Sequence, residues 1–232
     1  MDNVSESRRS ALLHGEITAG PLRLAWAEAP WDTVVLGHPV VQISRIEADL
    51  GARADDLAPF VVACEAGGVE LASCRLAHDR LRESMLLEEI GFRFIEMVYQ
   101  PEFACSEWTQ TGDERGLELV LASARDLPAI VELAGTAFGC ERFHMDPRLP
   151  SGLGDLRYQN WVRNCLEHPS QRLYALREAG DLVAFFVVEM LVDGTCYWHL
   201  NAVSPARQGM GYGLRAWRQM MHQAFKDGAR RV

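Results

Sequence analysis

"NAVSPARQGMGYGLRAW", Asn201 to Trp217, places three glycines at alternate positions: Gly209, Gly211 and Gly213. An apolar, strand-like run precedes it and a helical pattern follows. A loop between a strand and a helix turns backbone N–H groups toward one point. The helix N-terminus adds unsatisfied donors and the positive end of its dipole, so the loop reads as an anion site. The dinucleotide fingerprint G-x-G-x-x-G does not match "GMGYGL", and no acidic residue on a following strand is present to complete it. No Lys follows in the position that an ATP-binding P-loop requires. A third pattern, Q/R-x-x-G-x-G/A behind V-x-P, fits through Val203-Ser204-Pro205 and Gln208 to Gly213.

Working outward, the composition is that of a folded protein. The 232 residues are 48% hydrophobic and 24% charged, with a net charge of -9. That length suits one large or two small domains. The acidity argues against a general nucleic-acid binder. Six cysteines, at 64, 74, 105, 140, 165 and 196, form no C-x-x-C pair. They read as reduced, mostly buried thiols of a cytoplasmic protein, and no metal site is expected. "MDNVSESRRSALLHGEI" has no apolar core of a signal peptide. "LVAFFVVEMLV" is too short to span a bilayer, so no membrane insertion is expected.

The expected fold class is α/β, with a mixed sheet. A small N-terminal α/β domain is expected over 1–103, a polar linker over 104–116 and a second domain over 117–232. In the first, "PLRLAW", "TVVLGHPVVQISRI", "VELASCRL" and "FRFIEMVYQP" read as strands. "DDLAPFVVACEAGG" and "DRLRESMLLEEIG" read as helices, each closed by glycine. In the second, "LELVLA" is a strand, and helices follow in "SARDLPAIVELAGTAF" and "DLRYQNWVRNCLEH". "QRLYALRE", "LVAFFVVEML" and "CYWHLNAV" then form a meander with turns at "AGD" and "VDGT", ahead of the helix "LRAWRQMMHQAFKDG". "ARRV" reads as the start of a further strand.

The Val203–Pro205 and Gln208–Gly213 motif resembles the GNAT (GCN5-related N-acetyltransferase) superfamily. The likeness covers about Leu117 to Val232 and includes the order helix, helix, three-stranded meander. A narrower resemblance, to dTDP-amino-sugar N-acetyltransferases of the dTDP-fucosamine type, rests on "PWDTVVLGHPVVQI" and "FGCERFHMDPRLPSG…DLRYQNWVRN". Those enzymes also carry a small α/β domain ahead of the GNAT domain.

The resemblance implies a bound acetyl-CoA. Its pyrophosphate would sit on the amides of Gly209, Met210, Gly211, Tyr212, Gly213 and Leu214, with Gln208 of the motif also at the cofactor. Its pantetheine arm would pair with Asn201, Ala202 and Val203. It also implies direct attack of an amine in a ternary complex, with a backbone N–H of the meander's third strand polarising the carbonyl. The leaving-thiolate acid is usually a Tyr on the helix after the next strand. Nothing like that segment follows Val232, so the C-terminal GNAT elements look missing. Tyr99 is not assigned to the role.

Strict alternation along "CYWHLNAV" places Tyr197, His199, Asn201 and Val203 on one face, and Trp198, Leu200 and Ala202 on the other. His199 is the candidate general base, since imidazole titrates near neutrality. Tyr197 and Glu189 are further candidates near the chemistry. For the acceptor, Arg142 and Arg148 suit phosphate, and Phe143, His144, Tyr158 and Trp161 offer stacking and polar contacts. The acceptor is expected to be a small molecule, a nucleotide-linked amino sugar. A homodimer is compatible with this reading. The alternatives are a protein or peptide N-acetyltransferase and a non-catalytic CoA-binding module.

Overall fold

The computed structural model describes residues 12–109 and 116–232. The signal-peptide reading of residues 1–11 and the middle of the expected linker, 110–115, lie outside them. The chain divides into two compact units, Met1–Ile95 and Glu96–Val232.

The first unit holds a four-stranded sheet in the order β1 (Gly15–Ala19), β2 (Leu22–Glu28), β3 (Val40–Ala48), β4 (Leu71–Cys74). The first three strands are antiparallel neighbours and β4 runs parallel to β3. The β3–β4 crossover contains α2 (Ala58–Gly67), and α3 (Leu81–Glu89) follows β4. Leu22, Leu24, Val41, Leu57 and Phe60 are the centre of its apolar core.

Two strand expectations fail here. Residues Thr33–Leu36 of the expected strand belong to helix α1 (Pro30–Leu36). Pro30 at the first helical position is preorganised for a helix, and Gly37 closes it with φ +78°. These end signals outweigh the β-branched Thr33, Val34 and Val35, and the strand begins only at Val40. "FRFIEMVYQP" forms no strand, and Phe94, Met97, Val98 and Tyr99 are exposed. Alternation creates a strand only where a neighbouring strand supplies hydrogen bonds.

The second unit holds the antiparallel sheet β5 (Leu117–Leu121), β6 (Gln171–Glu178), β7 (Asp181–Met190), β8 (Cys196–Val203). Helices α4 (Leu127–Ala134), α5 (Arg142–Met145) and α6 (Leu153–Cys165) lie between β5 and β6, and α7 (Tyr212–Lys226) follows β8. The sheet is buried on both faces. Ile130, Val162, Leu173, Phe185, Val187 and Leu200 form the core on the α4/α6 face. Leu176, Val183, Phe186, Ala216 and Met220 form it on the α7 face. Burial of both faces explains why β7 reads as a continuous apolar run.

Residues expected at the linker's start are part of this unit. Phe103 N donates to Val232 O and Val232 N to Phe103 O, both at 2.9 Å. Ala104 bridges Arg231 antiparallel, while Arg231 bridges Thr195 in parallel. "ARRV" is therefore paired on both sides.

All six cysteines are free thiols, three of them buried. Burial pushes Cys165 and Cys196 up to about 11, so both are inert at neutral pH. No helix among the described residues is long and apolar enough to cross a membrane.

Candidate active site

β8 is the last strand of its sheet. On its outer side, described backbone bonds occur only near its start, where Arg230 N meets Gly194 O and Cys196 N meets Arg231 O, both at 2.8 Å. At its end, Ser204 N donates inward to Val183 O at 2.8 Å. Backbone direction alternates along a strand, so the N–H and C=O groups of Val203 and Asn201 face the open edge. Gln208 Nε2 already donates to Val203 O there, at 3.1 Å.

The chain then turns through Pro205–Arg207 into the glycine loop. Gly209 and Gly211 have φ of +74° and +84°, the left-handed region that disfavours any other residue. A Cβ on Gly209, Gly211 or Gly213 would meet nothing within 4 Å, so the space above the loop is open. Gly211 caps α7 with no side-chain hydrogen bond, leaving the first-turn amides of Tyr212, Gly213 and Leu214 uncapped by any side chain. Open space, uncapped amides and a free strand edge fit a ligand with a phosphate and an extended amide arm. Tyr212 joins through its backbone alone. Its buried ring lies between the Arg207 and Arg215 guanidinium groups, at 5.4 and 5.1 Å. Its hydroxyl accepts from Arg207 at 3.2 Å and donates to Glu178. That anchor holds the loop to the β6–β7 hairpin.

A β-bulge overturns the expected alternation of β8. The register slips between Val187 and Val188, so Leu200 opposes Val187 and Trp198 opposes Val188, with His199 the extra residue. His199 and Leu200 therefore both turn toward α6, with Tyr197 and Ala202. Trp198, Asn201 and Val203 turn toward α7, where Trp217 Nε1 donates to Asn201 Oδ1 at 3.3 Å. His199 and Tyr197 share a face as expected, but Asn201 and Val203 do not join them.

His199 Nε2 lies 2.7 Å from Glu189 Oε2. Tyr197 contacts the imidazole edge-on, 4.8 Å between centroids, and Trp161 of α6 lies 5.9 Å away. Gln100 Nε2 donates to the Tyr197 hydroxyl at 2.7 Å. Trp161 Nε1 donates to Gln171 Oε1 at 3.2 Å. Glu189 also accepts from Ser170 Oγ at 2.6 Å. The Ser170 hydroxyl, and then His199, hold the Glu189 carboxyl below the usual carboxylate range. An ionised carboxylate only accepts, so Nε2 of a neutral His199 carries the hydrogen and Nδ1 keeps a lone pair. The arrangement can take a proton at Nδ1.

The acceptor candidates separate into two sets. Trp161 stands beside His199. The other five are engaged elsewhere: His144 and Phe143 pack the 139–149 loop on α6, Tyr158 is buried on α6, Arg142 pairs with Glu96 and Arg148 with Asp146. His144 lies between carboxylates, with Nε2 2.8 Å from Asp155 and Nδ1 against Glu141. Its ring packs on Gly154, where a Cβ would come within 2.1 Å of it. Burial opposes the imidazolium, but Asp155 and Glu141 outweigh it and raise the His144 pKa. Phe143 is buried beneath Arg142 and Arg157. The Arg142 backbone N–H donates to Glu96 Oε2 at 2.9 Å, its Nε lies 3.9 Å from Glu96 Oε1, and Arg148 donates to Asp146 through two bonds of 2.8 and 2.7 Å. Tyr158 is buried, and burial raises its hydroxyl pKa.

Four neighbours were not singled out from the sequence: Gln100, Ser170, Gln171 and Arg157. Arg157 rests over Phe143, Tyr158 and Trp161, at 4.4, 5.6 and 5.3 Å. Its spacing of four from Trp161 on one helix was a legible signal. Ser170 and Gln100 had none, because they reach the site across distant elements.

Residues 127–232 match the family model described as "Acetyltransferase (GNAT) family". A GCN5-related N-acetyltransferase from Kribbella flavida has 17% identity and a TM-score of 0.53, over 97% of this chain and 80% of that one. That likeness is one of fold. A GNAT-family acetyltransferase from Brucella melitensis in complex with acetyl-CoA has 18% identity and a TM-score of 0.39, over 50% and 73% of the two chains. The ribosomal-protein-S18-alanine N-acetyltransferase from Escherichia coli has 18% identity and a TM-score of 0.35, over 49% and 62%. No curated protein matches the sequence. Residues 127–232, just under half of the chain, thus match the acetyltransferase (GNAT) family model, and the order of sheet, glycine loop and α7 in this unit agrees with that match.

Proposed function

We propose that the chain acetylates the amino group of a small acceptor, a nucleotide-linked amino sugar of the dTDP type, with His199 as general base. The observation carrying this reading is the Glu189–His199 contact beside the open edge of β8 and its glycine loop. Acetyl-CoA supplies the acetyl group as a thioester. The amides of Gly209 to Leu214 would hold its pyrophosphate, and the outward groups of Asn201 and Val203 its amide arm. Ala202 lies between them, and Gln208 braces the turn through Val203 O.

His199 takes the acceptor's proton at Nδ1 as the amine nitrogen bonds to the acetyl carbon and the carbon–sulfur bond breaks. Glu189 fixes the imidazole tautomer and balances the imidazolium. Tyr197 and Trp161 wall the imidazole on two sides and limit its rotation. The sugar-nucleotide acceptor rests on the likeness of "RFHMDPRLP" and its neighbours to dTDP-amino-sugar acetyltransferases. The aromatic surface of Trp161 beside His199 suits a ring of the acceptor.

The test is release of CoA thiol from acetyl-CoA with dTDP-amino sugars and, separately, with basic peptides. Release with the sugars alone supports the reading. Release with peptides alone would replace the acceptor, and release with neither would favour a CoA-binding module.

A further inference from the structure

Ser170 precedes β6 in the turn His168-Pro169-Ser170, outside every motif that marks the cofactor loop. Its hydroxyl has one hydrogen and two neighbouring acceptors. Glu189 Oε1 is 2.6 Å away and His168 Nδ1 is 3.3 Å away. His168 Nδ1 is already approached by the backbone N–H groups of Ser170 and Gln171, at 3.4 and 3.3 Å. The hydroxyl hydrogen therefore belongs to Glu189, at the shorter distance. The two oxygens of Glu189 are then divided: Oε1 takes Ser170 and Oε2 takes His199. A carboxylate held at both oxygens cannot rotate about its last torsion. Gln171, next to Ser170, pairs across the ladder with Glu189 and receives Trp161 Nε1, so the same turn also sets the ring beside His199.

We propose that Ser170 is a positioning residue for the acetyl transfer: through Glu189 it fixes His199 in the Nε2–H tautomer, with Nδ1 bare. This rests on the reading of His199 as the base. Ser170 is exposed, so truncating it removes a hydrogen bond without opening the core. The effect on rate comes from the fraction of His199 in the competent tautomer and orientation, and a loss on the order of 10-fold in kcat is expected for Ser170→Ala. The KM for acetyl-CoA should not change, because the loop and the edge of β8 are untouched.

The experiment combines side-chain 15N NMR of His199 at a pH where it is neutral with CoA-thiol release from acetyl-CoA and a dTDP-amino sugar. In the unaltered protein, Nε2 should carry the hydrogen. In Ser170→Ala the signals should move toward a mixture of tautomers, and Ser170→Thr, which keeps the hydroxyl, should restore them. An unchanged His199 tautomer in Ser170→Ala overturns the proposal, as does a mixture in Ser170→Thr. The spectra need no acceptor, so they decide the role of Ser170 even if thiol release fails. Full turnover in His199→Ala would instead remove the base assignment, whatever the spectra show.

Discussion

Glu189 pairs in register with Tyr197, yet its carboxylate bonds to His199, two residues further along β8. Tyr197 and His199 both face α6, so the carboxylate reaches the imidazole diagonally, while the bulge at His199 reverses the faces of the residues that follow it. Strands without a bulge keep a strict period of two, and Asn201 would then lie beside His199 in the site. The observed twist leaves Asn201 to α7.

His199→Ala should lower kcat by about 10²- to 10⁴-fold, the span usual for a general base. Acetyl-CoA affinity should hold, since the glycine loop does not touch the imidazole. Steady-state kinetics with both substrates varied would check this, and an equal loss in cofactor affinity would count against the base role.

Gly211→Glu should abolish acetyl-CoA binding. The new carboxylate would enter the open space at the start of α7, where φ is +84° and a Cβ meets no neighbour. Thermal shift reads it directly: the unaltered protein should be stabilised by about 2.7 kcal/mol at a ligand concentration 100 times Kd, and the variant not at all. A full shift in the variant would place the phosphate elsewhere.

Asp126 should make the fold sensitive to acid. Hydrogen bonds from the Ser123 backbone, the Ser123 hydroxyl and Arg177 lower its pKa to about 2. A depressed folded pKa means the stabilisation is complete above the ordinary carboxylate pKa and is lost as pH falls from there toward 2. Asp126→Asn should cost about 1 kcal/mol at neutral pH and little at the acid end. Urea melts across this range would test it; a pH-independent cost would contradict the linkage.

His144 should show the opposite sign. Its pKa is raised by Asp155 and Glu141 against the pull of burial, so its stabilisation is present below the ordinary histidine value and is lost as pH rises through the folded one. The 139–149 loop should then exchange its amide hydrogens faster at alkaline pH, beyond the intrinsic rise in exchange rate. In His144→Gln that added pH dependence should vanish.

Tyr212→Phe should weaken the anchor between Glu178 and Arg207 while keeping the buried ring. We expect about 1 kcal/mol of lost stability. The cofactor contact of residue 212 is its backbone, so acetyl-CoA affinity should fall much less than in Gly211→Glu. Titration calorimetry would separate the two.

Much of the second unit was legible. The β6–β7–β8 meander, the glycine loop and α7 all carry local marks: turn residues, apolar runs and helix ends. Thr33–Leu36 reads as strand because its β-branched residues outweigh, in a local reading, the Pro30 and Gly37 that bound the helix. "FRFIEMVYQP" was misread because alternation describes a strand's faces and says nothing of whether a neighbour pairs with it. His199, Tyr197 and Glu189 were chosen one at a time, and their assembly into one group was not foreseen. Arg142, His144 and Arg148 were chosen for their chemistry, and Glu96, Glu141, Asp155 and Asp146 turned out to engage it.

The sequence by itself determined the anion loop and the element order around it, because backbone geometry at glycines and helix ends is a local property. The tertiary structure alone decided the bulge at His199, the partners of the loop arginines and the path Ser170–Glu189–His199. Those depend on register and on contacts between residues far apart in the chain, and no local pattern encodes the distance between them.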